Sequence, residues 1–175
     1  MTLWVFGYGS LLWNPGFDPA DQVVATLQGY SRSFCMRSIH HRGSEEEPGL
    51  VLALDKDERG LCHGLAMQVQ HGEEDRVLAY LRERELISSA YFETHVMLDM
   101  ADGRRVEAVA YVIDPDHNQY CHLELEVQAQ IIASASGGMG PNWEYLYNTA
   151  DHLKEIGLED TDLNWLSQRV AALLA

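Results

Sequence analysis

The chain is 175 residues long, with 46% hydrophobic and 22% charged residues. That length and balance suit one globular domain, residues 1–175, with a core of its own. Twelve basic residues against twenty-seven acidic ones leave a formal charge of −15, which argues against a nucleic-acid binder and against an anionic membrane surface, because both need a basic face.

The elements are predicted in chain order. Leu3 to Tyr8 is short, apolar and aromatic and leads into glycines, as a buried first strand would. Val23 to about Met36 mixes β-branched and aromatic residues with polar ones and fits one or two strands. His40 to Pro48, with three successive glutamates, is a solvated loop. Leu50–Leu54 and Cys62–Val69 read as a strand pair across a turn at Asp55–Gly60. Glu73 to about Glu85 is a helix, with Val77 and Leu81 on one face. Tyr91–Met100 and Arg104–Ile113 flank Asp102-Gly103, a strong hairpin signal.

Leu123 to about Ala135 reads as a helix ended by Gly137 and Gly138. A second begins near Pro141 or Asn142, carries Leu146, Thr149, Leu153 and Ile156 on one face, and stops at Gly157. The last follows Thr161, with Leu163, Leu166, Val170, Leu173 and Leu174 at helical spacing. Strands first and helices later predict an α+β fold with a mainly antiparallel sheet or small barrel and flanking helices.

Several chemistries fail on spacing. Gly7-Tyr8-Gly9 opens like a dinucleotide fingerprint, but Leu12 stands where the third glycine belongs. Ser10 is not in a GxSxG elbow, because Tyr8 takes the place of the first glycine. The histidines lack metal-ligand spacing, so no metal and no cofactor is expected. Three cysteines, Cys35, Cys62 and Cys121, have no CxxC spacing and frame neither a disulfide scaffold nor a zinc ribbon. No stretch is apolar for the roughly 18 residues that a membrane helix needs. The start lacks the basic leader of a signal peptide, and a reducing cytoplasm is the expected compartment.

Three stretches can carry chemistry, each with a plainer reading beside it. Phe6-Gly7-Tyr8-Gly9-Ser10-Leu11-Leu12-Trp13 runs a buried strand into a glycine-bracketed turn. Such a turn can aim successive N–H groups at one carbonyl or carboxylate oxygen, or it can simply be tight. Ser31 to Gly43 holds Arg32, Arg37 and Arg42 and no acid. These arginines suit a substrate carboxylate, or merely balance an acidic surface. Glu85 stands where the charged helix meets apolar Leu86-Ile87. Partial burial there would raise its pKa toward that of a useful base; otherwise it is a surface glutamate at a helix end.

Phe6 to Trp13 resembles the signature of the ChaC family, the glutathione-specific gamma-glutamylcyclotransferases. The likeness continues in order through Ser31-Arg-Ser-Phe-Cys35, His41-Arg-Gly43, Pro48-Gly-Leu50, Arg84-Glu85, Ala135-Ser-Gly137 and Glu144-Tyr-Leu146. The resemblance implies a gamma-glutamylcyclotransferase-like fold and cleavage of glutathione to 5-oxoproline and cysteinylglycine. It implies Glu85 as general acid/base, and Gly7, Tyr8, Gly9, Ser10, Leu11 and Leu12 as the substrate loop. Arg37 and Tyr145 are further substrate contacts on the same ground. The alternatives are a cyclotransferase for another γ-glutamyl amine, which would lack the later ChaC blocks, and a non-catalytic glutathione-binding protein. Oligomeric state is not legible.

Overall fold

The computed structural model describes residues 2–86 and 89–175. Contacts divide the chain into two compact units: residues 1–33 with 53–117, and residues 34–52 with 118–175.

The first unit is built on a closed five-stranded barrel. Its strands are β1 (Trp4–Gly7), β2 (Asp21–Ser38), β3 (Gly49–Gln68), β4 (Tyr91–Met100) and β5 (Arg105–Ile113), in the order β1-β3-β2-β4-β5. The long strands β2 and β3 contribute residues to both units. Antiparallel pairing dominates: Trp4 faces Gln68, Ala25 faces Met100, and β4 pairs with β5 from Tyr91–Ile113 to Asp99–Arg105. Single parallel pairs, Val5 with Val109 and Leu54 with Val112, complete the closure.

The two-residue period of a strand explains the core. Trp4 and Phe6 of β1, with Tyr8 just beyond it, cluster with Val96, Leu98 and Met100 of β4 and Ala108, Ala110 and Val112 of β5. Small alanines on β5 leave room for the β1 aromatics. Between the strands lie α1 (Ser10–Trp13) and α2 (Glu74–Glu85). In α2, Glu74 and Asp75 occupy the first turn and Arg82 and Arg84 the last, each complementing the helix dipole. Val77 and Leu81 are its buried stripe.

The second unit packs three helices on one another: α3 (Leu125–Ser134), α4 (Asn142–Glu155) and α5 (Thr161–Leu174). Ala129 and Ile132, then Leu146, Thr149, Ala150 and Leu153, then Leu163, Leu166 and Val170 supply the buried faces. Gly157, at φ +81°, closes α4 in the left-handed conformation that glycine tolerates, and Asp160 Oδ1 caps α5 by accepting from the Leu163 N–H at 3.0 Å. Arg169 of α5 forks onto the Glu126 carboxylate of α3, with N···O distances from 2.7 to 3.1 Å.

The α+β architecture agrees with the sequence, and four local readings are corrected. Asp55–Gly60 is not a turn, because β3 runs unbroken through it. Lys56 to Arg59 stay exposed, and Gly60 lies so close to the Tyr30 backbone that a Cβ would stand 2.6 Å from it. Leu11 and Leu12 belong to a one-turn helix, not a loop. The Gly137-Gly138 region is not a plain helix stop but a minute hairpin, β6 (Ser136–Gly137) with β7 (Gly140–Pro141). Leu174 is also exposed, outside the buried stripe of α5.

One side chain fastens α4 to the chain around Leu50. Asn142 is fully buried; its Oδ1 accepts from the Leu50 N–H and its Nδ2 donates to the Leu50 carbonyl, both at 2.8 Å. Asn142→Ala strands two buried backbone groups. It should lower unfolding free energy by about 2–4 kcal/mol, read as a lower urea midpoint at unchanged slope. A midpoint equal to wild type would mean that water replaces the amide.

Candidate active site

The site in the first unit begins where β1 hands the chain to α1. The Gly7 carbonyl lies against Gly64 of β3, where a Cβ would be driven into the carbonyl oxygen and the Phe6 ring. One residue on, the Tyr8 carbonyl accepts from Arg32 Nη1 at 2.9 Å, and the same nitrogen donates to the His63 carbonyl at 2.9 Å. Arg32 therefore ties the loop to β3 through backbone atoms. The Tyr8 hydroxyl donates to the Tyr111 carbonyl at 3.3 Å. In α1 the Leu12 N–H donates to the Gly9 carbonyl and the Asn14 N–H to the Ser10 carbonyl. Ser10 and Leu11 supply the leading amides, which in any helix lack intrahelical acceptors.

The last turn of α2 meets α1 through Arg84. Its Nη1 donates to the Asn14 carbonyl at 2.6 Å and to the Tyr80 hydroxyl at 3.1 Å, and its Nη2 donates to Ser10 Oγ at 3.0 Å. Its Nε lies 3.5 Å from Glu85 Oε1. The Ser10 hydroxyl thus accepts from a cation.

Glu85 ends α2 with only 14% of its side chain exposed, while Glu83, two residues earlier, faces solvent. Burial pushes the Glu85 carboxyl above the usual range, and the Arg84 charge partly opposes that rise. Leu86 follows; Ile87, the other half of the apolar pair read next to Glu85, lies outside the described residues.

A second polar chain stands nearby. The Tyr111 hydroxyl of β5 donates to Glu93 Oε1 of β4 at 2.9 Å, and Arg82 donates to both Glu93 oxygens at 2.9 Å. Arg82 holds Glu93 below the usual carboxylate range. Burial first, then the Glu93 hydrogen bond and the Glu93 and Glu85 charges, push the Tyr111 phenol well up.

Of the sequence-predicted residues, Gly7 to Leu12 and Glu85 belong to this unit. Arg37 and Tyr145 belong to the other. Arg37 is half-buried and exchanges hydrogen bonds with Gln119, its N–H donating to the Gln119 carbonyl at 2.7 Å and its carbonyl accepting from Gln119 Nε2 at 2.9 Å. The Tyr145 hydroxyl accepts from the Leu52 N–H at 3.1 Å. Arg42 is also absorbed locally: its Nη1 donates to the Pro141 carbonyl and Glu144, and its guanidinium lies 5.8 Å from the Tyr145 ring centroid.

The residues that composition and spacing did not single out are Tyr111, Glu93 and the clamping role of Arg84. Its alternation with glutamates in Arg82-Glu83-Arg84-Glu85 looks like an exposed helix end. The signal that could have marked Arg84 was its place beside Glu85. Among the described residues no cluster of three His, Cys, Asp or Glu is arranged to hold a metal ion. None of the described helices is long and apolar enough to cross a membrane.

A family model described as ChaC-like protein matches residues 3–173. The chain belongs to the ChaC family. It is 38% identical over 174 residues to the glutathione-specific gamma-glutamylcyclotransferase of Escherichia coli, a match covering 99% of this chain and 74% of that relative. It is 37% identical to glutathione-specific gamma-glutamylcyclotransferase 1 of Homo sapiens over 92% of this chain and 74% of that protein. The fold is shared with a solved yeast gamma-glutamyl cyclotransferase specific to glutathione, at TM-score 0.88 and 21% identity, covering 98% of this chain and 96% of that one. ChaC membership thus spans residues assigned to both compact units.

The raised Glu85 pKa has a stability consequence whose sign follows from linkage. Unfolded glutamate titrates near pH 4.3, roughly, whereas folded Glu85 keeps its proton to higher pH. Well below the unfolded value both states carry the neutral acid. As pH rises through the folded pKa, the buried charge weighs against folding. Glu85→Gln should therefore raise Tm at about pH 8, with a gain that shrinks as pH falls toward ~4. Thermal denaturation across pH reads this, and a lower Tm at the upper end would mean that the Arg84 pair outweighs desolvation.

Proposed function

We propose that this protein cleaves glutathione at its γ-glutamyl bond, forming 5-oxoproline and cysteinylglycine, with Glu85 moving the protons. The observation that carries the reading is a water-sheltered carboxylate with a raised pKa, in the same compact unit as a glycine loop gripped by Arg84. The relatives' names supply the substrate. The family match from 3 to 173 supports treating 1–175 as one functional domain, and we infer a cytoplasmic setting from the reduced-thiol substrate.

The substrate brings its own nucleophile. Its α-amine attacks the γ-carbonyl, the new C–N bond closes a five-membered ring, and the bond to the cysteinyl nitrogen breaks. Because amine and carbonyl belong to one molecule, folding the γ-glutamyl arm into the reactive conformer is the first task. The amine is protonated near neutral pH, so a base must remove a proton before attack, and the departing nitrogen must gain one. A carboxylate held above its usual range is matched to both transfers. In the Gly7–Leu12 stretch, N–H groups other than that of Leu12, which donates to the Gly9 carbonyl, are suited to the oxyanion that develops on the γ-carbonyl. In this scheme Ser10 positions and does not attack. Arg37 and Tyr145 stay as proposed substrate contacts on the family resemblance, the guanidinium suiting a carboxylate.

Incubation with glutathione should yield 5-oxoproline and cysteinylglycine by mass spectrometry, and glutathione acetylated on its glutamyl amine should stay intact. Turnover of the acetylated compound would sink the intramolecular mechanism. Glu85→Gln should keep the fold and lower kcat by roughly 10²-fold or more, while Glu83→Gln, on the solvent face, stays close to wild type. Near-normal turnover by Glu85→Gln would mean that another group is the base.

A further inference from the structure

We propose that Arg84 is the positioning residue of this site: one guanidinium fixes helix α1 and the Glu85 carboxylate against each other. The proposal rests on the reading of Glu85 as base. Arg84 grips α1 at both ends, taking Ser10 Oγ at its first residue and the Asn14 carbonyl just past its last. The Tyr80 hydroxyl, one turn back on α2, braces the same Nη1, and the Tyr80 ring packs where Gly16 leaves space for it. The remaining edge of the guanidinium, Nε, faces Glu85 Oε1.

A planar fork with five donors can serve two ends of a helix and a carboxylate at once; the single ammonium of lysine cannot reach all of them. Ser10 Oγ, by accepting from Arg84, keeps its own proton as a donor. The arrangement makes loop placement and carboxylate placement one mechanical unit, so a shift in either is felt by the other.

Among the described residues, two neighbours act on Glu85 or are acted on by it. Arg84 on its own helix lowers its pKa, and Glu85 in turn acts on the Tyr111 hydroxyl of β5, whose hydrogen bond goes to Glu93, itself paired with Arg82. Among the described residues, Arg84 is therefore a cation whose removal reaches Glu85 directly.

The experiment compares Arg84→Met and Arg84→Lys with wild type in kcat, KM and the pH profile of kcat/KM, alongside Tm. Arg84→Met should lower kcat by about 10- to 100-fold, the scale of an ångström-sized misplacement. KM should change less, and the acid limb should move to higher pH. Arg84→Lys keeps the charge, so its acid limb stays near wild type while kcat still falls. An unmoved limb in Arg84→Met, with activity lost only in proportion to folded protein, would reduce Arg84 to a structural tie and overturn the proposal.

If Arg84→Met does not fold, Arg84→Lys decides: wild-type kcat overturns the proposal and a lowered kcat at near-normal KM supports it. Glu85→Gln is run in parallel, so that failure of the base assignment is seen separately. Carboxyl carbon-13 NMR titration of Glu85, assigned by its loss in Glu85→Gln, then tests Arg84 without activity. A titration curve shifted upward in Arg84→Met supports the proposal, and an unmoved curve overturns it.

Discussion

Withdrawing the Glu85 carboxylate from water while leaving one guanidinium beside it imposes the constraint on which the first unit is organised. Desolvation alone would neutralise the acid, and a fully bonded ion pair would hold it charged and inert. Here the Arg84 Nε stands 3.5 Å from Oε1 while the other two nitrogens of the guanidinium are engaged elsewhere. The opposition is therefore partial, and burial prevails. For that to hold, α2 must end at Glu85, α1 must offer acceptors to Arg84, and the strand entering α1 must not wander. Arg32 secures the last condition through two carbonyls.

The second unit meets a different demand, close backbone packing. Gly43, Gly49 and Gly137 stand where any Cβ would meet backbone: Gly43 against Gly49 and Pro48, Gly49 against Arg42, and Gly137 against His41 and Gly43. Arg42, buried between them and α4, takes the Pro141 carbonyl and Glu144. The blocks His41-Arg-Gly43, Pro48-Gly-Leu50, Ala135-Ser-Gly137 and Glu144-Tyr-Leu146 thus meet in one cluster. Far apart in the chain, they pack against one another in this unit.

Strand and helix identities were legible wherever periodicity was local. The β4–β5 hairpin, α2, α4 and α5 follow from alternation, buried stripes and caps, and the glycine loop and Glu85 stand out at boundaries between unlike segments. Asp55–Gly60 misled because its charges look like a turn, while pairing between distant strands overrides local preference. The partners of Arg32 and Arg42 were illegible for a related reason: their Nη1 atoms donate to carbonyls at positions 8, 63 and 141, which only the fold brings near. Arg84 was hidden the same way, since its acceptors Ser10 and Asn14 lie some seventy residues upstream.

The Asn142 amide stands in for a peptide group opposite Leu50, offering an acceptor and a donor as a neighbouring strand would. The Leu50 N–H is therefore shielded by a side chain on a helix and not by a ladder of its own. Its exchange with deuterated solvent would report how often the Asn142 contact on α4 breaks. One backbone proton thus serves as a native clock for the breathing of the helical unit.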